Sequence, residues 1–188
     1  MDRELSSPTC FLDIHEKYLD RQFSADHRPT KSRYNMASTI PTAARVVESA
    51  VISAPLSKVW HLIKLQDFAT FWTNLSKSEI TKGVSPDTDV IKWTFQDGTV
   101  LEVKQEEHST IEHFITYSVI TAKPALDYTS VLSTVRLFPI TSGEHRGHTF
   151  VQWSGQFSSD ASVGVIEDAK YKRREALADL EKAVGKSA

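Results

Sequence analysis

The chain has 188 residues, of which 40% are hydrophobic and 24% are charged, and its formal net charge is −2. These values are typical of one globular domain that buries enough apolar surface to fold without disulfides. Because there is no basic excess, we expect no nucleic-acid partner. The one cysteine, Cys10, excludes an internal disulfide and favours a reducing, cytoplasmic location. No stretch is apolar enough for a membrane span, and the polar N-terminus does not match a secretory signal.

Residues 1–43 differ in composition from the rest of the chain. Residues 21–34 are polar and contain Pro29, whereas residues 10–19 contain apolar side chains that favour a short amphipathic helix. We expect a leader that is either disordered or forms a docking helix. Met36 is an alternative start of the biological protein. Residues 44–186 are expected to form the ligand-binding domain.

The remaining elements follow in a clear order. A strand is predicted over 46–54, followed by a short helix that has Pro55 in its first turn and then by a second short helix with Asp67 as N-cap. Alternating or β-rich runs predict further strands over 78–82, 90–95, 100–106, 112–122, 128–138 and 149–157. A long helix is predicted over about 162–184, with Gly185 ending it.

This order of elements predicts an α+β helix-grip fold, in which a curved antiparallel sheet wraps around the long C-terminal helix. Two short helices follow the first strand. Such an arrangement leaves a hollow between sheet and helix, and tryptophan, phenylalanine and tyrosine side chains are available to line it. An apolar or amphipathic small molecule is therefore the expected partner.

A set of short motifs runs through residues 44–184: Ser53-Ala54-Pro55, Val59-Trp60, Trp72, Lys92-Trp93, Asp97-Gly98, Glu102, Ile115-Thr116-Tyr117-Ser118-Val119 and Val151-Gln152-Trp153. In these motifs the sequence resembles the START/Bet v 1-like (SRPBCC) superfamily, and most of all its polyketide cyclase/dehydrase-like subgroup. The loop at Gly83 has a single glycine where the pollen-allergen branch is glycine-rich. The gate and latch motifs of the related hormone receptors are also missing, so a hormone-receptor function is not expected.

Strand parity and the resemblance together select the residues expected to line the hollow. These ligand-binding candidates are Trp72, Trp93, Phe95, Ile115, Tyr117, Val119, Trp153, Ala169, Arg173 and Ala176. Arg173 falls inside the apolar stripe of the last helix, which leaves two interpretations. Its side chain either extends from the edge of the helix to water or meets an anionic group of the ligand.

A catalytic role depends on Glu102, because the resemblance implies a glutamate on the fourth strand paired with a basic residue. A three-residue turn, Gln96-Asp97-Gly98, places Glu102 opposite Lys92 and away from Trp93. A two-residue turn instead directs Glu102 inward. If Glu102 is inside, Glu102 and Tyr117 are the candidate acid–base pair. If Glu102 is outside, it is half of a solvated ion pair.

Three functions therefore remain open. The leading interpretation is a non-catalytic binder or carrier, monomeric or weakly dimeric. The alternatives are a polyketide cyclase or dehydratase that uses acid–base catalysis, and a lipid-dependent interaction module that docks through the leader. No cofactor is expected, and no metal site is expected either, since none of the seven histidines has a ligand-like partner at the right spacing.

Overall fold

The computed structural model describes residues 44–82 and 89–186. The predicted leader over 1–43 and most of the loop that begins at Gly83 lie outside the described residues, so the predictions made for them stay predictions.

Seven antiparallel strands in the described part of the chain form one sheet with the order β1-β7-β6-β5-β4-β3-β2. The strands are β1 (Arg45–Ile52), β2 (Leu75–Lys82), β3 (Val90–Phe95), β4 (Val100–Ser109), β5 (Phe114–Lys123), β6 (Val131–Pro139) and β7 (Thr149–Phe157). The first strand, β1, forms one edge of the sheet and pairs with the last strand, β7. The two strands with the cleanest patterns, β3 and β7, have the bounds that the sequence predicts.

Two short helices separate β1 from β2, and one long helix ends the fold. They are α1 (Leu56–Leu62), a 3₁₀ helix (Leu65–Thr70) and α2 (Val163–Lys186). Leu177, Leu180 and Val184 on α2 are buried in the same core as inward residues of the sheet. The predicted helix-grip fold is confirmed. No helix in the described ranges combines the length and apolar character needed to cross a bilayer.

Alternation along the strands determines which side chains reach this core. On β3, Ile91, Trp93 and Phe95 are buried, whereas Lys92 and Thr94 between them are half-buried on the other face. Such alternation is expected where one face of an antiparallel sheet is covered and the other meets water. The inward face of the sheet is thus both the core and the wall of the hollow.

A buried carboxylate attaches α2 to the loop before β2. Asp179 accepts hydrogen bonds from the backbone N–H of Thr73 at 3.1 Å and from its hydroxyl, and Lys182 donates to the other carboxylate oxygen at 3.0 Å. Burial opposes ionisation of Asp179, but these hydrogen bonds outweigh burial and lower its pKa. The ionised side chain therefore stabilises the docked helix.

Two predicted helix ends are wrong. Asp67 is not an N-cap, because its own N–H already donates to the carbonyl of Lys64 at 2.8 Å, inside a 3₁₀ helix that follows extended Lys64. Gly185 does not end α2, which continues to Lys186. Gly185 lacks the positive φ angle of a glycine cap, so nothing interrupts the helix there.

Candidate functional site

A cavity of about 270 Å³ lies between the inward face of the sheet and the N-terminal half of α2. Strands β3 to β7 form its wall, and residues 124–128 between β5 and β6 form part of its rim. Several of these rim residues are exposed, so the cavity opens to solvent at this end. The C-terminal half of α2 packs directly on the core through Ala176, Leu177, Leu180 and Val184.

Tryptophan side chains build the inner wall and hold one another in place. The Trp93 ring stacks on Phe68 at a centroid distance of 5.1 Å, and its indole N–H donates to the carbonyl of Leu65 at 2.8 Å. Trp72 meets Trp153 edge-on at 5.7 Å. Because such aromatic pairs fix ring orientation, this wall is preformed rather than assembled around a ligand.

Arg173, Tyr117 and Ser133 interrupt the apolar wall with polar groups. Arg173 donates to the carbonyl of Ala169 at 3.0 Å and to the Ser133 hydroxyl at 3.1 Å. The Trp153 indole N–H donates to the Tyr117 hydroxyl at 3.1 Å. Burial raises the pKa of Tyr117, although nearby Arg173 and its hydrogen-bonding neighbours oppose the shift. Tyr117 is therefore a neutral phenol.

Arg173 is the one arginine among the described residues that line the cavity, and it is only 8% exposed. Its side chain does not extend from the edge of the helix to water. The first of the two interpretations of Arg173 is therefore wrong. Burial lowers its pKa, while Tyr117, Tyr128 and Glu48 oppose the shift. Arg173 forms no salt bridge with any residue of the described ranges.

The mouth of the cavity carries the opposite charge. Asp97, Asp127 and Asp168 line it, together with Lys172, which forms a 2.8 Å salt bridge with Asp168. Hydrogen bonds from Thr99 lower the pKa of Asp97. These carboxylates are exposed, so water and Lys172 screen their negative charges. A charge inside the cavity is screened less.

The β3–β4 hairpin places Glu102 away from the cavity. The turn is Gln96-Asp97-Gly98, with Gly98 at φ 85° and the N–H of Phe95 donating to the carbonyl of Thr99. In this register Glu102 lies opposite Lys92. Glu102 is not among the residues that line the cavity. A catalytic role requires that Glu102 points inward, so the prediction of that orientation is wrong. Tyr117 does line the cavity.

The structure brings most of the predicted ligand-binding residues together. The cavity is lined by Trp72, Trp93, Phe95, Tyr117, Val119, Trp153, Ala169 and Arg173. Ile115 and Ala176 do not line it, and both are fully buried in the core. Ile115 lies near the start of β5, opposite Val135, and Ala176 lies one helical turn beyond Arg173, where α2 packs tightly on the sheet. Ligand binding by the lining residues stays a prediction.

Sequence reasoning missed three groups of lining residues. One is the pair Asp97 and Thr99 at the β3–β4 turn. The first of the other two lies on the same face of the sheet or of α2 as the predicted residues: Leu101, Val131, Ser133, Phe157, Val165, Asp168 and Lys172. Parity and helical spacing were sufficient to find these. The second group is the rim over 124–128, whose position depends on how the β5–β6 connection folds, and no periodic signal marks it.

Comparison with known proteins identifies relatives of the whole described domain. The model of a family described as polyketide cyclase/dehydrase and lipid transport matches residues 43–185. The predicted resemblance to the SRPBCC superfamily is thereby confirmed. A search of curated proteins finds no match to the chain.

Solved structures share the fold at low sequence identity. An uncharacterised protein from Bacillus thuringiensis is 23% identical, with a TM-score of 0.64 over 74% of this chain and 98% of its own. The protein XoxI from Bacillus cereus is 23% identical, with a TM-score of 0.63 over 74% of this chain and 94% of its own. A protein from Nitrosospira multiformis is 24% identical, with a TM-score of 0.60 over 73% of this chain and 94% of its own. At this identity the likeness concerns the fold alone.

Proposed function

The chain belongs to the polyketide cyclase/dehydrase and lipid transport family, and on that premise we propose that it binds or carries a small amphipathic molecule in the cavity beneath α2. The observation that carries the proposal is the preformed cavity of about 270 Å³, with an aromatic wall, a short polar strip and an open mouth. Concave, largely apolar sites with a few placed polar groups are the usual form of small-molecule sites.

The cavity volume limits the size of the ligand. An apolar cavity of about 150 Å³ holds benzene, so by proportion this cavity holds about eleven non-hydrogen atoms. A bicyclic aromatic compound fits this estimate, whereas a long acyl chain extends beyond the mouth. The ligand class we propose is therefore compact, aromatic or alicyclic, and amphipathic.

We favour binding over catalysis because the cyclase or dehydratase alternative loses its proposed acid. Glu102 lies opposite Lys92 on the other face of the sheet. The carboxylates that do line the cavity, such as Asp97 and Asp168, are exposed at its mouth, and hydrogen bonds from Thr99 lower the pKa of Asp97, which disfavours it as a general acid. A cytoplasmic location and a monomeric or weakly dimeric state accompany the proposal as predictions.

Titration with aminonaphthalene, a neutral fluorescent bicycle of the estimated size, tests the proposal. We expect saturable binding with a blue-shifted emission. The variant Ala169→Phe places a ring inside the cavity and should weaken binding at least tenfold. Ala178→Phe, on the exposed face of the same helix, is the matched control and should bind as the wild type does.

Two results would count against a binding cavity. One is the absence of saturable binding to the folded wild-type protein. The other is equal binding by the wild type and the folded Ala169→Phe variant, because the probe would then occupy another surface.

A further inference from the structure

We infer that the ligand carries a carboxylate, which binds Arg173 on the inner wall of the cavity. The inference rests on the proposed function and names the chemical class of the ligand. Three features support it: a buried charge without a counter-ion in the described ranges, a glycine on β7 that leaves space for that charge, and buried hydrogen-bond donors on the wall that have no acceptor there.

The first feature is that Arg173 has no counter-ion among the residues that the structure describes. The nearby acids are matched elsewhere: Glu48 binds Arg174 at 2.8 and 2.9 Å, and Asp168 binds Lys172 at 2.8 Å. Burying an unpaired cation is strongly unfavourable, so such a group normally has an anion beside it. A ligand carboxylate entering the cavity supplies that anion.

The second feature is the space that β7 leaves for the guanidinium group. A methyl group at Gly155 would collide with a terminal nitrogen of Arg173, so only glycine leaves this position free. The guanidinium carbon also lies 5.8 Å from the ring centres of Trp153 and Phe157. The side chain is therefore held against the strand, with two N–H groups fixed by Ala169 and Ser133.

The third feature is an excess of donors. The Nε of Arg173 and the indole nitrogen of Trp72 are both buried without a hydrogen-bond partner among the described residues. Tyr117 adds a neutral hydroxyl beside them. An ionised carboxylate only accepts hydrogen bonds and accepts them from arginine in pairs, so it matches this wall better than a neutral amide or alcohol does.

The test compares naphthoate with naphthamide, which share one bicycle and differ in carrying a carboxylate or a neutral carboxamide. Isothermal titration calorimetry measures both affinities at pH 7. We expect the wild type to bind naphthoate about ten to one hundred times more tightly, the range for a hydrogen bond to a charged group. In Arg173→Met this preference should disappear, while naphthamide affinity changes less than about threefold.

Arg174→Gln is the matched control, because it removes a neighbouring arginine that is exposed and faces Glu48. It should keep the full preference for naphthoate. Gly155→Ala is a second perturbation, which displaces the guanidinium group without removing it. It should reduce the preference even if Arg173→Met does not fold.

The outcomes separate the inference from the function it rests on. If both compounds bind the wild type equally, the cavity binds ligands but the carboxylate inference is overturned. If the folded Arg173→Met variant still prefers naphthoate, the carboxylate inference is overturned as well. If Arg173→Met does not fold, an unchanged preference in Gly155→Ala overturns the inference instead. If neither compound binds, both the proposed function and the inference fail.

Discussion

Replacing Leu180 by alanine tests whether α2 closes the fold as part of the core. Leu180 is 1% exposed and lies in the cluster that joins α2 to the sheet. The change removes three carbon groups from a buried position, which costs about 2.4 kcal/mol at roughly 0.8 kcal/mol each. The space left behind adds a further cost, because the surrounding side chains relax only partly. The expected loss of unfolding free energy is therefore about 2.5–5 kcal/mol.

Urea denaturation followed by circular dichroism measures this loss, provided that the slope with urea stays unchanged. The control is Leu132→Ala, the same chemical change at a leucine on β6 that is 47% exposed. It should cost about 1 kcal/mol or less. A loss below about 1 kcal/mol at Leu180, or equal losses at both sites, would refute the docking of α2 on this core.

Three further predictions concern charge and the leader. Arg173→Met should leave the ligand-free protein as stable as the wild type or more stable, because it removes a buried charge that has no counter-ion among the described residues; a loss above about 2 kcal/mol in urea denaturation would indicate a structural role. Asp179→Asn should destabilise the protein at pH 7. This deficit should shrink as the pH falls below about 4 and through the lowered folded pKa of Asp179, so a deficit that stays constant from pH 7 into strongly acidic solution would contradict the carboxylate's role. A chain that begins at Met36 should melt within a few degrees of the full chain, and a large drop would show that residues 10–19 pack on the domain.

The sheet was predictable because one face is buried and the other faces solvent. On β3 the alternation of Ile91, Trp93 and Phe95 with polar residues identifies strand, bounds and inward face together. The β3–β4 register was left open by the sequence, since Gln96-Asp97-Gly98 is compatible with two turns. The structure adopts the turn that places Leu101 and Val103, rather than Glu102, on the inward face.

The candidate site was only partly predictable. Arg173 was identifiable from its place in the apolar stripe of α2, but its burial depends on contacts with β6 and β7 that no local pattern encodes. Ile115 and Trp93 satisfy the same alternation, yet only Trp93 reaches the cavity. Parity determines which face a side chain takes, whereas the position of the cavity along the sheet depends on where α2 diverges from it.

The central claim is that ligands occupy the cavity, and the indole N–H signals of the four tryptophans test it directly by NMR. Trp72, Trp93 and Trp153 line the cavity, whereas Trp60 lies beside His108 and His113, outside the cavity lining. On addition of naphthoate, the account predicts the largest shift for Trp72, whose N–H is unpaired among the described residues, and almost none for Trp60. Four unmoved signals, or a shift of Trp60 alone, would contradict it.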